Sequence, residues 1–598
     1  MKTLALGLFL IVMISMSLPS SSSTISGAVF TDQKQWSWSY TEVISDNGEM
    51  DSFSPDLAVD DLGNVHVVWA GENDFSRTGM NFDILYRRWD VSTQSWGDFE
   101  IVYDTEGGAS NPQVLIDNVG NVHVTWQDDS DYDGVGTDDD IFYRMRDEST
   151  GLWGDIEVVT RESANTDVSR RPRFVVDANN DIHLVWDDWT PNLANSGADL
   201  DVFYKQRFSR NNSWSPMMVI SSRSNGSSQH SQIAVDSEGT IHFAWDDFTS
   251  TFGGNDRDIL YRKYVPGLNY WSGVTVVSSE STNDAFIPFL ITDAASNVHV
   301  TWTDSTDMLN SGPDWDVFYR KYDHSQGIWK NTTLVSDGFI DAGFGAEIAV
   351  DDRNNPSIVW SQGGSNDYFG SGDDEDIVYR QYDAVSDSWS TMHVVSTESN
   401  QRSTLPALSI DRSGFVHVAW YDYTSYQNAG FDSDIFYKKF HGLPAVPTLE
   451  AISPNPSTNG IIQLHWNEVY GAINYLIYRN QTPITSVSEL DPIAMVTENK
   501  FVDYINTNEQ HFYYAVSAEN YDGLSQISNS EYVQVLVLNG NFGTNATDGF
   551  PNQTAFFDGS LPVTVMSIVI FLAVSAFRKR KIRLRTSQGS KTRRPVKC

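Results

Sequence analysis

This sequence predicts an all-β protein: a seven-bladed β-propeller, a smaller β-sandwich and one C-terminal transmembrane helix. Three observations carry the prediction. A segment of the type NPQVLIDNVGNVHVTWQD, Asn111 to Asp128, is written seven times, each copy ending at or just past a tryptophan: Trp69, Trp126, Trp186, Trp245, Trp302, Trp360 and Trp420, spaced 57 to 60 residues apart. Self-similarity at such a period marks a solenoid, propeller or array. Each unit carries strand periodicity and no helical pattern. Near the end of the chain, an apolar run is followed at once by a basic tail.

Within one unit, VLID reads as a short apolar strand and NVHVTW alternates with period two. The turn between them opens on aspartate in all seven copies: Asp60, Asp117, Asp177, Asp236, Asp293, Asp351 and Asp411. An aspartate there can accept hydrogen bonds from the turn's own N–H groups. A third strand, DIFYR in Asp140 to Arg144, carries a recurring tyrosine (86, 143, 204, 261, 319, 379, 437) followed by Arg or Lys. A fourth begins at a second tryptophan series, as in WGDIEVVT from Trp153. Four antiparallel strands per unit, seven times over, make a propeller.

The second series comprises Trp96, Trp153, Trp214, Trp271, Trp329 and Trp389, which supplies only six fourth strands. The seventh copy ends at Asp434 to Phe440 with no tryptophan strand after it, whereas QWSWSYTEVIS, residues 35–45, lies at the other end of the chain. The N-terminal strand is therefore expected to close the ring, which removes open sheet edges. The propeller is expected over 35–440.

The pattern PxLAVDxxGNVHVxW…DIxYR…W, as in Ser54 to Tyr86 and on to Trp96, resembles the BNR-type units of the sialidase-like propeller superfamily. Two departures stand out. The Asp-box turn is degenerate, YDHSQGIW at Tyr322 to Trp329 keeping a Gly and the Trp but not the spacing, and no arginine motif of the FRIP or YRIP kind is present. The resemblance thus implies the fold more strongly than sialidase chemistry.

Residues 1–28 read as a secretory signal peptide, with one early Lys and an apolar run from Leu4 to Leu18. A Pro-bearing linker, 441–449, ends the repeats. Residues 450–537 resemble a fibronectin type III domain through Trp466 in IIQLHW, YLIY at Tyr475 to Tyr478 and FYYAVSAENYDGLSQISN from Phe512. The resemblance implies that Trp466 is the buried strand tryptophan and Tyr513 or Tyr514 the corner tyrosine. Residues 538–559 read as a stalk, 560–577 as a transmembrane helix and 578–598 as a basic cytoplasmic tail. Eighteen residues reach about 27 Å as a helix, close to a bilayer core of about 30 Å. The positive-inside rule places the N-terminal bulk outside a cell membrane crossed once. The single cysteine, Cys598, leaves the outer part without a disulfide.

The chain carries 39 basic and 79 acidic residues, a net charge of −40, and ten of the basic residues lie in the tail. So acidic an exterior excludes nucleic acid as a partner and favours cations. The acids gather in the loop between second and third strands, most densely in DSDYDGVGTDDD, Asp129 to Asp140. Asp129, Asp131, Asp133 and Asp140 are candidate ligands for Ca²⁺, a hard cation that takes carboxylate oxygens. The other reading is that these aspartates cap loop N–H groups.

Six histidines, His66, His123, His183, His242, His299 and His417, share one repeat position and read as structural. Trp89, Trp189 and Trp315 fall outside both tryptophan series and are candidates for exposed contact. Four residues before the turn aspartate, the inner strand reads Asp56, Gln113, Arg173, Gln232, Phe289, Glu347 and Ala407. Inner strands line a propeller's channel, so positions that differ there can specify a ligand. Arg170, Arg171, Arg173 and Glu347 are the ligand-binding candidates.

The leading expectation is a membrane-anchored cell-surface protein whose extracellular propeller binds a glycan or protein partner, with no catalytic residue. The alternatives are a sialidase-like glycoside hydrolase, which needs an arginine cluster and placed carboxylates, or a structural cell-envelope component.

Overall fold

A computed structural model of the chain describes residues 36–45, 50–73, 81–163, 168–252, 256–336, 345–363, 374–383, 387–426, 432–442, 444, 446–469, 472–487, 490–505, 510–520 and 523–536. The expected signal peptide, stalk, transmembrane helix and basic tail lie outside them. Among the described residues no helix is long and apolar enough to cross a membrane, and helix is confined to three short 3₁₀ turns.

Seven antiparallel sheets follow one another along the chain. Their inner strands are Ser52–Val59, Ser110–Ile116, Ser169–Val176, Ser228–Val235, Ala285–Thr292, Glu347–Val350 and Ser403–Ile410. Each inner strand contacts the next, and the seventh contacts the first. The sheets thus form the blades of a closed seven-bladed propeller, numbered 1 to 7 here in that order.

The last blade is completed from the N-terminus. Trp36–Trp38 pairs with Phe440 to Gly442, and Glu42–Val43 pairs with Phe436 and Tyr437. Trp38 opposes Phe440 in the register at which Trp153 opposes Arg146 in blade 2. Its ring meets Tyr379 of blade 6 edge-on at 5.5 Å. The second tryptophan series does the same elsewhere: Trp153 meets Tyr86, Trp214 meets Tyr143, Trp329 meets Tyr261 and Trp389 meets Tyr319, all edge-on. These contacts between neighbouring blades add to the burial of the first series, whose seven tryptophans are all at most 1% exposed.

The fourth strand is split into two short pieces, such as Leu152–Trp153 and Glu157–Val158. The basic residue after each third-strand tyrosine reaches the preceding blade, and where it is arginine it also bonds a carbonyl in the gap. Arg144 donates from Nε to the carbonyl of Gly154, 2.7 Å, and from Nη1 to Val102 of the preceding blade. Arg262, Arg320 and Arg380 repeat this, and Lys205 and Lys438 make the bond to the preceding blade alone. These cations staple blades together.

The turn aspartate, the strand histidine and the strand tyrosine form one chain of hydrogen bonds. In blade 5, Asp293 Oδ1 accepts the N–H groups of Ala295 and Asn297, Oδ2 lies 3.1 Å from His299 Nε2, and His299 Nδ1 lies 2.8 Å from the Tyr319 hydroxyl. The neutral histidine with its hydrogen on Nε2 satisfies both neighbours. Blades 1, 4 and 7 repeat it; in blades 2 and 3 the histidine bonds its tyrosine and stands 3.3 and 3.4 Å from the turn aspartate, and in blade 6 Ser357 bonds Tyr379 instead, at 3.0 Å.

Residues 449–535 form a separate β-sandwich. Ile461–His465 pairs with Lys500–Tyr504, and a second sheet holds Ala494–Val496, Asn474–Asn480, Gln510–Asn520 and Glu531–Val535, with the short Gly523–Leu524. Trp466, Tyr475, Ile477, Tyr514 and Val533 are buried together between the sheets. Of the two candidate corner tyrosines, Tyr514 is the buried one; its hydroxyl donates to the Asp503 carboxylate at 2.7 Å.

Candidate functional site

The blade topology puts two kinds of connection on each face. Turns between first and second strands share one face with the hairpins between third and fourth. Loops between second and third strands share the other face with the segments that lead into each inner strand. On that second face the inner strands enter the channel through a bulge, seen as a register shift in six blades. Ser54, Asn111, Arg171, His230, Ile287 and Leu405 hold positive φ there, with Gly345 in blade 6. No two neighbours in this ring are alike, so the mouth breaks the repeat that builds the walls.

Below the mouth lies a central channel of about 580 Å³, lined by the inner strands. Asp56, Gln113, Arg173, Gln232, Phe289 and Glu347 all face it. Asp56 Oδ2 accepts the Val114 N–H at 2.7 Å. Burial pushes the Asp56 and Glu347 carboxyls above their usual range, and the Arg173 charge acts against that rise. No ion pair within 4.0 Å closes these three among the described residues, and Arg173 Nη1 donates to the Pro172 carbonyl at 3.2 Å. Donors and acceptors are thereby left facing the channel.

Arg170 and Arg171, expected on the channel rim, do not line this cavity. They sit at the mouth, in the bulge that precedes Arg173. Arg171 Nη1 lies 3.3 Å from the fully buried Asp187, and Arg170 carries a buried Nε without a hydrogen-bond partner.

The sequence reading missed the residues beside them. His230 Nδ1 lies 2.5 Å from Oδ1 of Asp246, a carboxylate with no exposure, while the imidazole is 17% exposed. Arg257 stands 3.7 Å from the other oxygen of Asp246. Asp187 also accepts the N–H groups of His230 and Ser231. The signal was present: six residues before the turn aspartate, the bulge position varies as freely as the channel position two residues later.

Exposed aromatic rings flank this mouth. Trp189 is 48% exposed and Phe248 is 52% exposed, on neighbouring blades 3 and 4. Their N–H groups donate to Val168 and Ser227, the residues just before their own inner strands. Trp89 and Trp315 are instead half-buried, the first beside the Lys439 ammonium and the second against Phe286.

The acidic loop of blade 2 does not gather its expected calcium ligands. Asp129 accepts from Gly108, Asp131 from Gly136, Asp133 pairs with Arg161, and Asp140 accepts from Thr160. Asp140 belongs to a different arrangement, in which the second-strand and third-strand aspartates oppose each other across the ladder, as in Asp128–Asp140, Asp188–Asp201 and Asp304–Asp316. One oxygen of each third-strand carboxylate accepts a hydroxyl: Thr160 on Asp140, Ser221 on Asp201, Ser336 on Asp316. Burial pushes the carboxyls of Asp140 and Asp201 up to about 6. The one group of three metal-ligand side chains with donor atoms within 4.8 Å of one another, among the described residues, is Asp236, Glu238 and His324.

No family model matches the chain, and no curated protein matches it. Among solved structures, it is similar to a polysaccharide lyase at 9% identity, covering 68% of this chain and 99% of that one, with a TM-score of 0.43. An intramolecular trans-sialidase from Ruminococcus gnavus shares 10% identity over 67% and 97%, TM-score 0.35. An α-L-arabinanase from Penicillium chrysogenum shares 12% over 55% and 94%, TM-score 0.36. Likenesses this distant carry no inference about what this chain binds or catalyses.

Proposed function

We propose that the propeller is the extracellular head of a single-pass membrane-anchored surface protein and binds a glycan across the channel mouth without altering it. The observation that carries the reading is the pairing of exposed rings, Trp189 and Phe248, with a non-repeating polar mouth on the same face. A sugar presents an apolar C–H face and a rim of hydroxyls, which suits flat aromatic surface beside convergent donors and acceptors. Arg171, His230 and Asn111 supply that rim, and Arg173, Asp56 and Glu347 continue it into the channel. The sandwich after the propeller, in its resemblance to a fibronectin type III domain, serves as a spacer, and the apolar segment 560–577 as the anchor.

The test is a glycan array probed with the full chain, with Trp189→Ala and Phe248→Ala beside it. Binding that falls at least about tenfold in both variants, at unchanged thermal stability, supports the reading. Binding equal in all three proteins sinks it.

One observation favours a second reading, a glycan-cleaving enzyme. A partly exposed imidazole held by a buried carboxylate, His230 on Asp246, is the arrangement of a general base. Release of sugar products that stops in His230→Ala, while array binding persists, would move the assignment there.

A further inference from the structure

We infer that Asp236, Glu238 and His324 form a binding site for one divalent transition-metal ion, Zn²⁺ being the natural occupant, bridging blades 4 and 5 on the face opposite the channel mouth.

Asp236 and Glu238 belong to the blade 4 turn, and His324 to the hairpin that follows the third strand of blade 5. Their donor atoms lie within 4.8 Å of one another. His324 Nε2 is 3.4 Å from Glu238 Oε1, and about 3.4 Å is the ligand-to-ligand edge of a tetrahedron with bonds of ~2.1 Å, the zinc–nitrogen and zinc–oxygen length. One nitrogen with two carboxylates selects a borderline ion and disfavours Ca²⁺ and Mg²⁺, which take oxygen. Three protein ligands leave a fourth position for water.

The carboxylate of Asp236 is already aimed. Oδ1 accepts the N–H groups of Glu238 and Thr240, at 2.9 and 2.8 Å, and Oδ2 lies 3.1 Å from His242 Nε2. That leaves one lone pair on Oδ2, on a carboxylate oriented by a histidine, as metal ligands commonly are by their neighbours. The two turns are tied independently by Ser237 and Ser296, whose hydroxyls stand 2.7 Å apart.

Comparison between blades separates this cluster from the scaffold. At the joint of blades 1 and 2, the corresponding space is filled by Arg88, which pairs with Glu148 at 3.1 Å and reaches Asp60 at 4.0 Å. In blade 5, Lys321 reaches Asp293 at 3.6 Å. The equivalent lysine of blade 4, Lys263, lies over the Tyr322 ring instead, 5.6 Å from its centroid. The other blades carry Leu62, Val119, Asn179, Ala295, Arg353 and Ser413 where blade 4 has Glu238. Among the described residues only this joint combines an added carboxylate, an imidazole and a lysine that lies over a neighbouring ring.

The test is calorimetric titration of Zn²⁺ into the untagged full chain after chelator treatment, with His324→Asn and Glu238→Gln, and with Ca²⁺ as the control ion. Both residues are partly exposed, so urea midpoints of the metal-free variants should match the parent. One zinc per chain is expected, weakened at least about tenfold in each variant. Zinc binding of equal stoichiometry and affinity in parent and His324→Asn, no zinc uptake, or equal uptake of Ca²⁺ at this site each overturns the assignment. Glycan binding plays no part in the readout, so this site and the channel mouth stand or fall separately.

Discussion

His299 Nε2 lies 3.1 Å from Oδ2 of Asp293, and neither side chain has any exposure. With Tyr319 on the other nitrogen, three polar groups satisfy one another inside blade 5. Replacing the histidine by leucine takes one hydrogen bond from a buried carboxylate and strands a buried hydroxyl. We expect His299→Leu to cost about 3 kcal/mol or more, since removing one member of a buried polar set leaves the others unpaired. His299→Ser should cost less, because Ser357 fills this place in blade 6 and still bonds its tyrosine. Urea unfolding of both variants decides it; equal losses would show that volume and not hydrogen bonding dominates.

The rim carboxylates make stability depend on pH in a defined direction. Asp201 is 2% exposed, and burial pushes its carboxyl up to about 6, with Asp199, Asp247 and Asp188 adding to the rise and the Ser221 bond opposing it. The folded state therefore holds this proton more tightly than the unfolded chain, where an aspartate titrates near ~3.9. Its contribution to stability is full below ~4 and declines as pH rises through about 6. Asp201→Asn keeps an oxygen for Ser221 and removes the charge. It should match the parent at pH 4 and exceed it by about 2–3 kcal/mol at pH 7.5. A gain of the same size at both pH values would refute the charge argument.

The buried histidines act in the opposite sense. Burial holds His66, His242 and His299 below the ordinary range, against the pull of their aspartates. The unfolded chain therefore takes up protons first as pH falls below ~6.5, and stability is lost from there downward. A parent protein measured alone shows the sum of both effects. His299→Ser should flatten the loss between pH 6.5 and 5, read from urea midpoints.

Ring closure rests on Trp38, whose ring lies 5.5 Å from Tyr379 and 4.5 Å from Phe440. Trp38→Ala should cost about 3 kcal/mol, the low end for a tryptophan because this one is half-buried. Deleting 36–45 removes both short strands from the blade 7 edge and exposes it for pairing with another chain. Concentration-dependent association on size-exclusion chromatography is the expected outcome; a stable monomer would mean that another segment closes the ring.

What was legible in the sequence followed from repetition. The turn aspartates, the histidines, the tyrosines and both tryptophan series recur because seven blades need the same chemistry, and each series sits in one structural role. The site was only half legible. Arg173 and Glu347 face the channel because an inner strand's alternation is regular below the bulge, while Arg170 and Arg171 lie in that bulge at the mouth. His230 and Asp246 went unseen because one lies on an inner strand and the other on a second strand, 16 residues apart, and nothing in the order of residues announces their contact. Trp315 looked exposed because it lies outside both series, yet Phe286 covers one edge of it.

The channel itself offers a test of how its charges divide the work. Burial raises Glu347, Asp56 raises it further, and Arg173 lowers it. A carboxylate raised in the folded state costs stability above its unfolded value of ~4.3, increasingly so as pH passes through the folded value. Glu347→Gln should therefore stabilise the protein at pH 8 and leave it unchanged at pH 4. Arg173→Met removes the opposing charge and should destabilise increasingly as pH rises through the range in which Asp56 and then Glu347 ionise. Because the two residues act on each other, the loss from Arg173→Met should be smaller in the Glu347→Gln background, by about 1 kcal/mol or more in a double-mutant cycle. Additive effects would mean that the channel charges are screened from each other by water, and that Arg173 is held for a ligand and not for Glu347.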